Sequence, residues 1–91
     1  MDNTTLNFDG QSVIVTGGAT GIGESCSHLF ARQGASVTVM DFDEKGAERV
    51  AGDIRGKGGD AATSIVDLTD FEATRKAVEA VHSRGGRLDV L

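Results

Sequence analysis

Short runs of apolar and β-branched residues recur along the chain at Ser12–Thr16, Ser36–Met40, Ala62–Val66 and Leu88–Leu91, and segments of helical period fill the intervals. Val13-Ile14-Val15 and Val37-Thr38-Val39-Met40 are near-continuous rather than alternating. That is the pattern of strands covered on both faces, and so of a parallel sheet with helices above and below. Each strand-plus-helix unit takes roughly 25 residues, which suits βα repeats with tight connections.

The periodicity predicts a first helix from about Gly21 to Gln33, with Ile22, Cys26, Leu29, Phe30 and Gln33 on its buried stripe and Gly34 as a left-handed stop. A second helix runs from about Glu44 to Gly56. It presents Ala47, Val50, Ala51 and Ile54 to the sheet, is capped by Asp43, and ends in Gly56-Lys57-Gly58-Gly59. A third follows Thr69-Asp70-Phe71-Glu72, which has the form of a capping box, and buries Phe71, Thr74, Ala77, Val78 and Val81 before Gly85-Gly86 stops it. Right-handed crossovers then give an α/β sheet of strand order 3-2-1-4, with the fourth strand only begun at 88–91 and residues 1–10 a flexible arm.

With 91 residues, the chain has room for one small domain or part of a larger one. A net charge of -5, with the basic residues scattered, disfavours nucleic acid and anionic membrane as partners. The lone cysteine, Cys26, cannot form an internal disulfide, and no stretch resembles a leader or a bilayer span, so a cytoplasmic setting is expected. Asn3-Thr4-Thr5 fits a glycosylation pattern only as a chance match.

The candidate chemistry lies at Thr16-Gly17-Gly18-Ala19-Thr20-Gly21-Ile22-Gly23, between the first strand and the first helix. Glycines here let the chain turn sharply and let a pyrophosphate approach the first N–H groups of a helix. A nucleoside-triphosphate P-loop is excluded, because Glu24 stands where that motif needs its lysine. An acid, Asp41, ends the second strand twenty residues beyond Gly21, the spacing of a carboxylate that meets a dinucleotide's ribose.

Through Thr16–Gly23, Asp41 and Val66-Asp67-Leu68-Thr69-Asp70, the chain resembles the short-chain dehydrogenase/reductase family. The resemblance implies that residues 1–91 form a single, partial NAD-binding domain of doubly wound Rossmann type. In it Gly17 permits the turn and Gly21 and Gly23 allow close approach. Thr20 and the Ile22 backbone contact phosphate and ribose, Asp41 lies at the adenosine ribose, Phe42 beside it is a further cofactor-binding residue, and Asp67 and Leu68 meet the adenine. Two plainer readings stand beside these roles: Asp41 as a solvated carboxylate at a strand end, and Asp67 as a group serving the start of the third helix.

A carboxylate at Asp41 accepts from both ribose hydroxyls of NAD and repels the 2′-phosphate of NADP. No Lys or Arg lies in the glycine loop or directly beside Asp41, so NAD is expected over NADP. Cys26 reads as a core residue, and His28 and His82 are far apart and lack companion ligands, so no metal site is expected.

The resembled family moves a hydride between nicotinamide and an alcohol or carbonyl carbon, with a tyrosine, a nearby lysine and a serine as machinery, and commonly forms homodimers or tetramers. This chain contains no tyrosine, so no catalytic residue can be assigned in it. Two readings follow. One is the amino-terminal, coenzyme-binding portion of a dehydrogenase, inactive alone. The other is a free-standing nucleotide-binding or interaction module without redox chemistry.

Overall fold

The computed structural model describes residues 8–85 and 88–90. The elements are β1 (Ser12–Thr16), α1 (Gly21–Arg32), β2 (Ser36–Asp41), α2 (Glu44–Gly56), β3 (Asp60–Ile65), α3 (Phe71–Gly85) and β4 (Leu88–Val90). β1, β2 and β3 form a parallel sheet with β2 central to the three: Val13 stands opposite Val37, and Val37 opposite Ala61. On the other side of β1, β4 runs parallel with Ser12 opposite Leu88, so the spatial order is β3-β2-β1-β4. Leu91 and Gly86 lie outside the described residues.

Alternation along the strands sends successive side chains to two cores. Val13, Val15, Val37 and Val39 pack with Ala47, Val50, Ala51 and Ile54 of α2 and with the half-buried Cys26, Phe30 and Ala31 of α1. Ile14 and Met40 face the other way, onto Val66, Val81 and the half-buried Ala73, Ala77 and Val78. Helices thus cover both faces, which is why the buried middles of β1 and β2, Val13–Val15 and Val37–Met40, are apolar at every position but Thr38. Each fully buried Val or Ile contributes roughly 1.5–3 kcal/mol.

α2 follows the sequence reading closely: it runs Glu44–Gly56, and the Asp43 side chain accepts the Gly46 N–H. α1 does not. Ile22 is 84% and Leu29 42% exposed, and the residue fully buried on this helix is Ser27. Of the expected stripe, Cys26, Phe30 and Gln33 are half-buried, Cys26 and Phe30 against the core, whereas Ile22 and Leu29 turn outward and the buried face is shifted toward Gly23, Ser27 and Ala31. The reason is clearance. A Cβ on Gly18 would lie 3.0 Å from the Ser27 Oγ, so the loop rides directly on the helix, and only a small side chain fits between them. The Ser27 hydroxyl is satisfied by donating to the Gly23 carbonyl at 2.9 Å.

The third helix also departs from expectation. Phe71 is 75% exposed rather than buried. The capping box is not formed: Asp70 accepts the Ala73 N–H, whereas the Thr69 hydroxyl is turned back onto Asp67. β3 begins at Asp60, not Ala62, because Asp60 stands opposite Ser36 and accepts its hydroxyl at 2.8 Å.

Of the expected flexible arm, residues 1–7 lie outside the described residues. Phe8, by contrast, is anchored. Its N–H donates to the Gln33 carbonyl at 2.8 Å, and its ring meets Phe30 edge-on with centroids 5.1 Å apart.

Candidate functional site

The loop from Gly17 to Thr20 leaves the end of β1 and enters α1, and its glycines answer different demands. Gly17 and Gly21 have φ of +65° and +56°, and a Cβ on either would meet nothing within 4 Å, so their requirement is conformational. Gly23 has ordinary dihedrals, but any Cβ there would overlap the Gly17 carbonyl; it is the contact between loop and helix that requires it. Gly18, to which spacing alone assigns no role, is buried, and a Cβ on it would stand 2.9 Å from the Val15 carbonyl oxygen.

Thr20 is the N-cap of α1, extended at φ -142° and ψ 159°, and its side chain makes no capping bond. The N–H groups of the first helical turn, including that of Ile22, have no intrahelical acceptor and carry the positive end of the helix dipole. Gly21 and Ile22 are both exposed there. The arrangement can receive an anion.

Asp41, at the end of β2, is folded against this loop. Its Oδ2 accepts the Ala19 N–H at 3.1 Å, and its Oδ1 accepts the Asp43 N–H at 3.0 Å. A carboxylate offers about four acceptor sites, so about two are left for a ligand. Phe42, the next residue, is 71% exposed. The Asp41 carbonyl accepts the Val66 N–H, which sets the segment holding Asp67 and Leu68 beside the end of β2.

Asp67 is exposed and bonded within its own turn: Oδ1 accepts the Thr69 hydroxyl at 2.6 Å and the Thr69 N–H at 2.9 Å. Those two donors, the hydroxyl foremost, hold its carboxyl below the ordinary aspartate value. Among the described residues Oδ2 has no such donor. The structure thus brings Asp41 to the glycine loop directly, whereas Asp67 and Leu68 join the same end of the sheet only through the backbone.

One residue of this neighbourhood has no signal in the sequence. Arg49 of α2 grips Glu24 of α1 with a two-nitrogen fork, at 3.1 and 3.2 Å, and also donates to the Ala19 carbonyl at 3.3 Å. The hydrogen bond from Arg49 holds Glu24 below its usual value, and Glu24, chiefly through the same bond, raises the guanidinium above its own. No local spacing links position 24 to 49, so periodicity could not have found the pair.

The shallow groove lined by His28, Ala31, Arg32, Ile54, Lys57 and Gly59 lies where α1 and α2 end, at the opposite end of the sheet from the glycine loop. Among the described residues no three His, Cys, Asp or Glu side chains are grouped to hold a metal.

Comparison with known proteins decides the family. The sequence model described as short chain dehydrogenase matches residues 11–91. The chain belongs to the short chain dehydrogenase family. Within that family it is similar to D-threitol dehydrogenase of Mycolicibacterium smegmatis, at 34% identity over 86 residues, covering 94% of this chain and 33% of that protein. Its structure superposes on a citronellol catabolism dehydrogenase of Pseudomonas aeruginosa with a TM-score of 0.89 at 31% identity, covering 97% of this chain and 37% of the other. A hydroxysteroid dehydrogenase from Escherichia coli gives 0.87 at 34% identity, covering 94% and 37%.

The chain therefore spans about a third of the length of the relatives it matches. The family assignment rests on the stretch that contains the glycine loop, Asp41 and Asp67. Among the described residues no helix is long and apolar enough to cross a membrane.

Proposed function

We propose that this chain binds NAD, in preference to NADP, and that the protein it represents transfers hydride between that coenzyme and a small-molecule alcohol or carbonyl compound. The observation that carries the reading is the Asp41 carboxylate held against the glycine loop, with acceptor capacity to spare. The spare acceptors suit two ribose hydroxyls and oppose a 2′-phosphate. The open first turn of α1, with Thr20 and the backbone of Gly21, Ile22 and Gly23, would hold the pyrophosphate. The exposed Phe42, Asp67 and Leu68 would border the adenine, with Asp67 Oδ2 available to its exocyclic amine.

The chemistry that NAD supplies is hydride acceptance at its nicotinamide. What these residues contribute is binding and orientation. A proton carrier of tyrosine type is absent from the sequence, so the 91-residue polypeptide is expected to bind coenzyme without turning over an alcohol. A cytoplasmic, homo-oligomeric protein completes the reading. The test is a pair of titrations, NADH and NADPH, followed by fluorescence: a lower Kd for NADH is expected, and equal or tighter NADPH binding overturns the preference.

A further inference from the structure

We propose that Arg49 is a positioning residue for the coenzyme loop, acting through the two polar groups of Ala19. The inference rests on the coenzyme reading above. Ala19 is fully buried, its N–H is taken by the Asp41 carboxylate, and its carbonyl is taken by the Arg49 guanidinium. Opposite charges thus hold one residue of the loop from its two polar sides, immediately before Thr20 and the helix turn that would face the pyrophosphate.

Arg49 is itself held. The two nitrogens that grip Glu24 each carry two hydrogens, so the nitrogen at Ala19 serves carboxylate and carbonyl together. Asp53, one turn along α2, lies 4.0 Å from the guanidinium and adds a second carboxylate. The backbone of α2 also comes close at this point. A Cβ on Gly46 would stand 3.2 Å from that of Ala19, so the helix carrying Arg49 is seated against the loop it would brace.

Loss of the guanidinium releases the Ala19 carbonyl and removes the hydrogen bonds that tie α2 to the loop and to Glu24 of α1, while the apolar contacts between these elements remain. The affected ligand groups are the phosphates, because the displaced backbone leads straight into the first turn of α1. Lysine reaches with a single nitrogen and lacks the planar fork, so it restores only part of the arrangement. A surface ion pair with no role in positioning would affect stability and leave ligand selectivity alone.

The experiment compares the chain with its R49A and R49K variants. NADH and ADP binding are followed by titration, adenosine binding by NMR shift perturbation, and folding by circular dichroism. Expected is a rise of about tenfold in the Kd of both NADH and ADP for R49A, no change for adenosine, and an intermediate value for R49K. Unchanged NADH binding in R49A overturns the positioning role alone. Equal losses for ADP and adenosine also overturn it, since they signal a general loosening of the fold. Failure of the unsubstituted chain to bind NADH or ADP overturns the coenzyme reading, and this role with it.

Discussion

The Asp41 carboxylate accepts the Ala19 N–H at 3.1 Å across twenty-two positions of sequence, tying the end of β2 to the loop that opens α1. The same side chain turns back to the Asp43 N–H at 3.0 Å, just ahead of α2. One carboxylate therefore organises the entry to two helices and presents its spare acceptors at the strand ends.

Asp41→Ala is expected to weaken NAD binding by about 10- to 150-fold, the equivalent of roughly 1.5–3 kcal/mol for hydrogen bonds to a charged group, and to narrow the gap between NAD and NADP. Asp41→Asn is the sharper test. An amide has only one acceptor oxygen, so whichever way it turns, its NH2 opposes the N–H of Ala19 or of Asp43. Dissociation constants for both coenzymes decide the matter, and an Asn variant that binds NAD like the parent refutes the double-acceptor role.

Two glycine substitutions should move stability in opposite directions. In Gly23→Ala the new methyl meets the Gly17 carbonyl, which is backbone and cannot swing aside, so a loss of about 1–3 kcal/mol is expected. Gly52 lies in the interior of α2, is exposed, and has nothing within 4 Å of a Cβ. Gly52→Ala should gain about 0.5–1 kcal/mol from helix propensity, or roughly 2–8 °C in Tm. Thermal unfolding of the two variants reads both outcomes.

Acid should release Arg49. The guanidinium holds Glu24 below its ordinary value of 4.5, so the pair's stabilisation is fully present above that pH. It is lost as pH falls through the lower, folded-state value. Melting temperatures measured downward from neutrality for the parent and for Glu24→Gln should differ at neutral pH and converge in acid. A difference that persists unchanged at the acid end contradicts the linkage.

Removing one hydroxyl should retitrate Asp67. In Thr69→Val the foremost donor to Oδ1 is gone and the Thr69 N–H alone is kept, so the Asp67 carboxyl should rise toward its ordinary 3.8. Carboxyl-carbon NMR titration follows it directly. A midpoint unchanged by the substitution would assign the depression to another source.

α2 was legible in full because everything that defines it is local. Its apolar residues recur at helical spacing, Asp43 caps it through a residue three positions on, and glycines end it. The glycine loop and Asp41 could likewise be singled out by spacing alone. Their contact could not, since Ala19 and Asp41 meet only when β1 and β2 pair in the observed register.

The sequence by itself determined the alternation of strands and helices, the place of the glycine loop and the acid at the end of β2, because propensity, capping and periodicity act over a few residues. Only the tertiary structure decided which side of α1 is buried, why Gly23 cannot carry a side chain, and that Arg49 reaches Glu24 and Ala19. A helical pattern supplies several overlapping stripes, and the one that turns inward is chosen by what lies opposite. For α1 that is a loop so close that Ser27 fits where Ile22 and Leu29 do not.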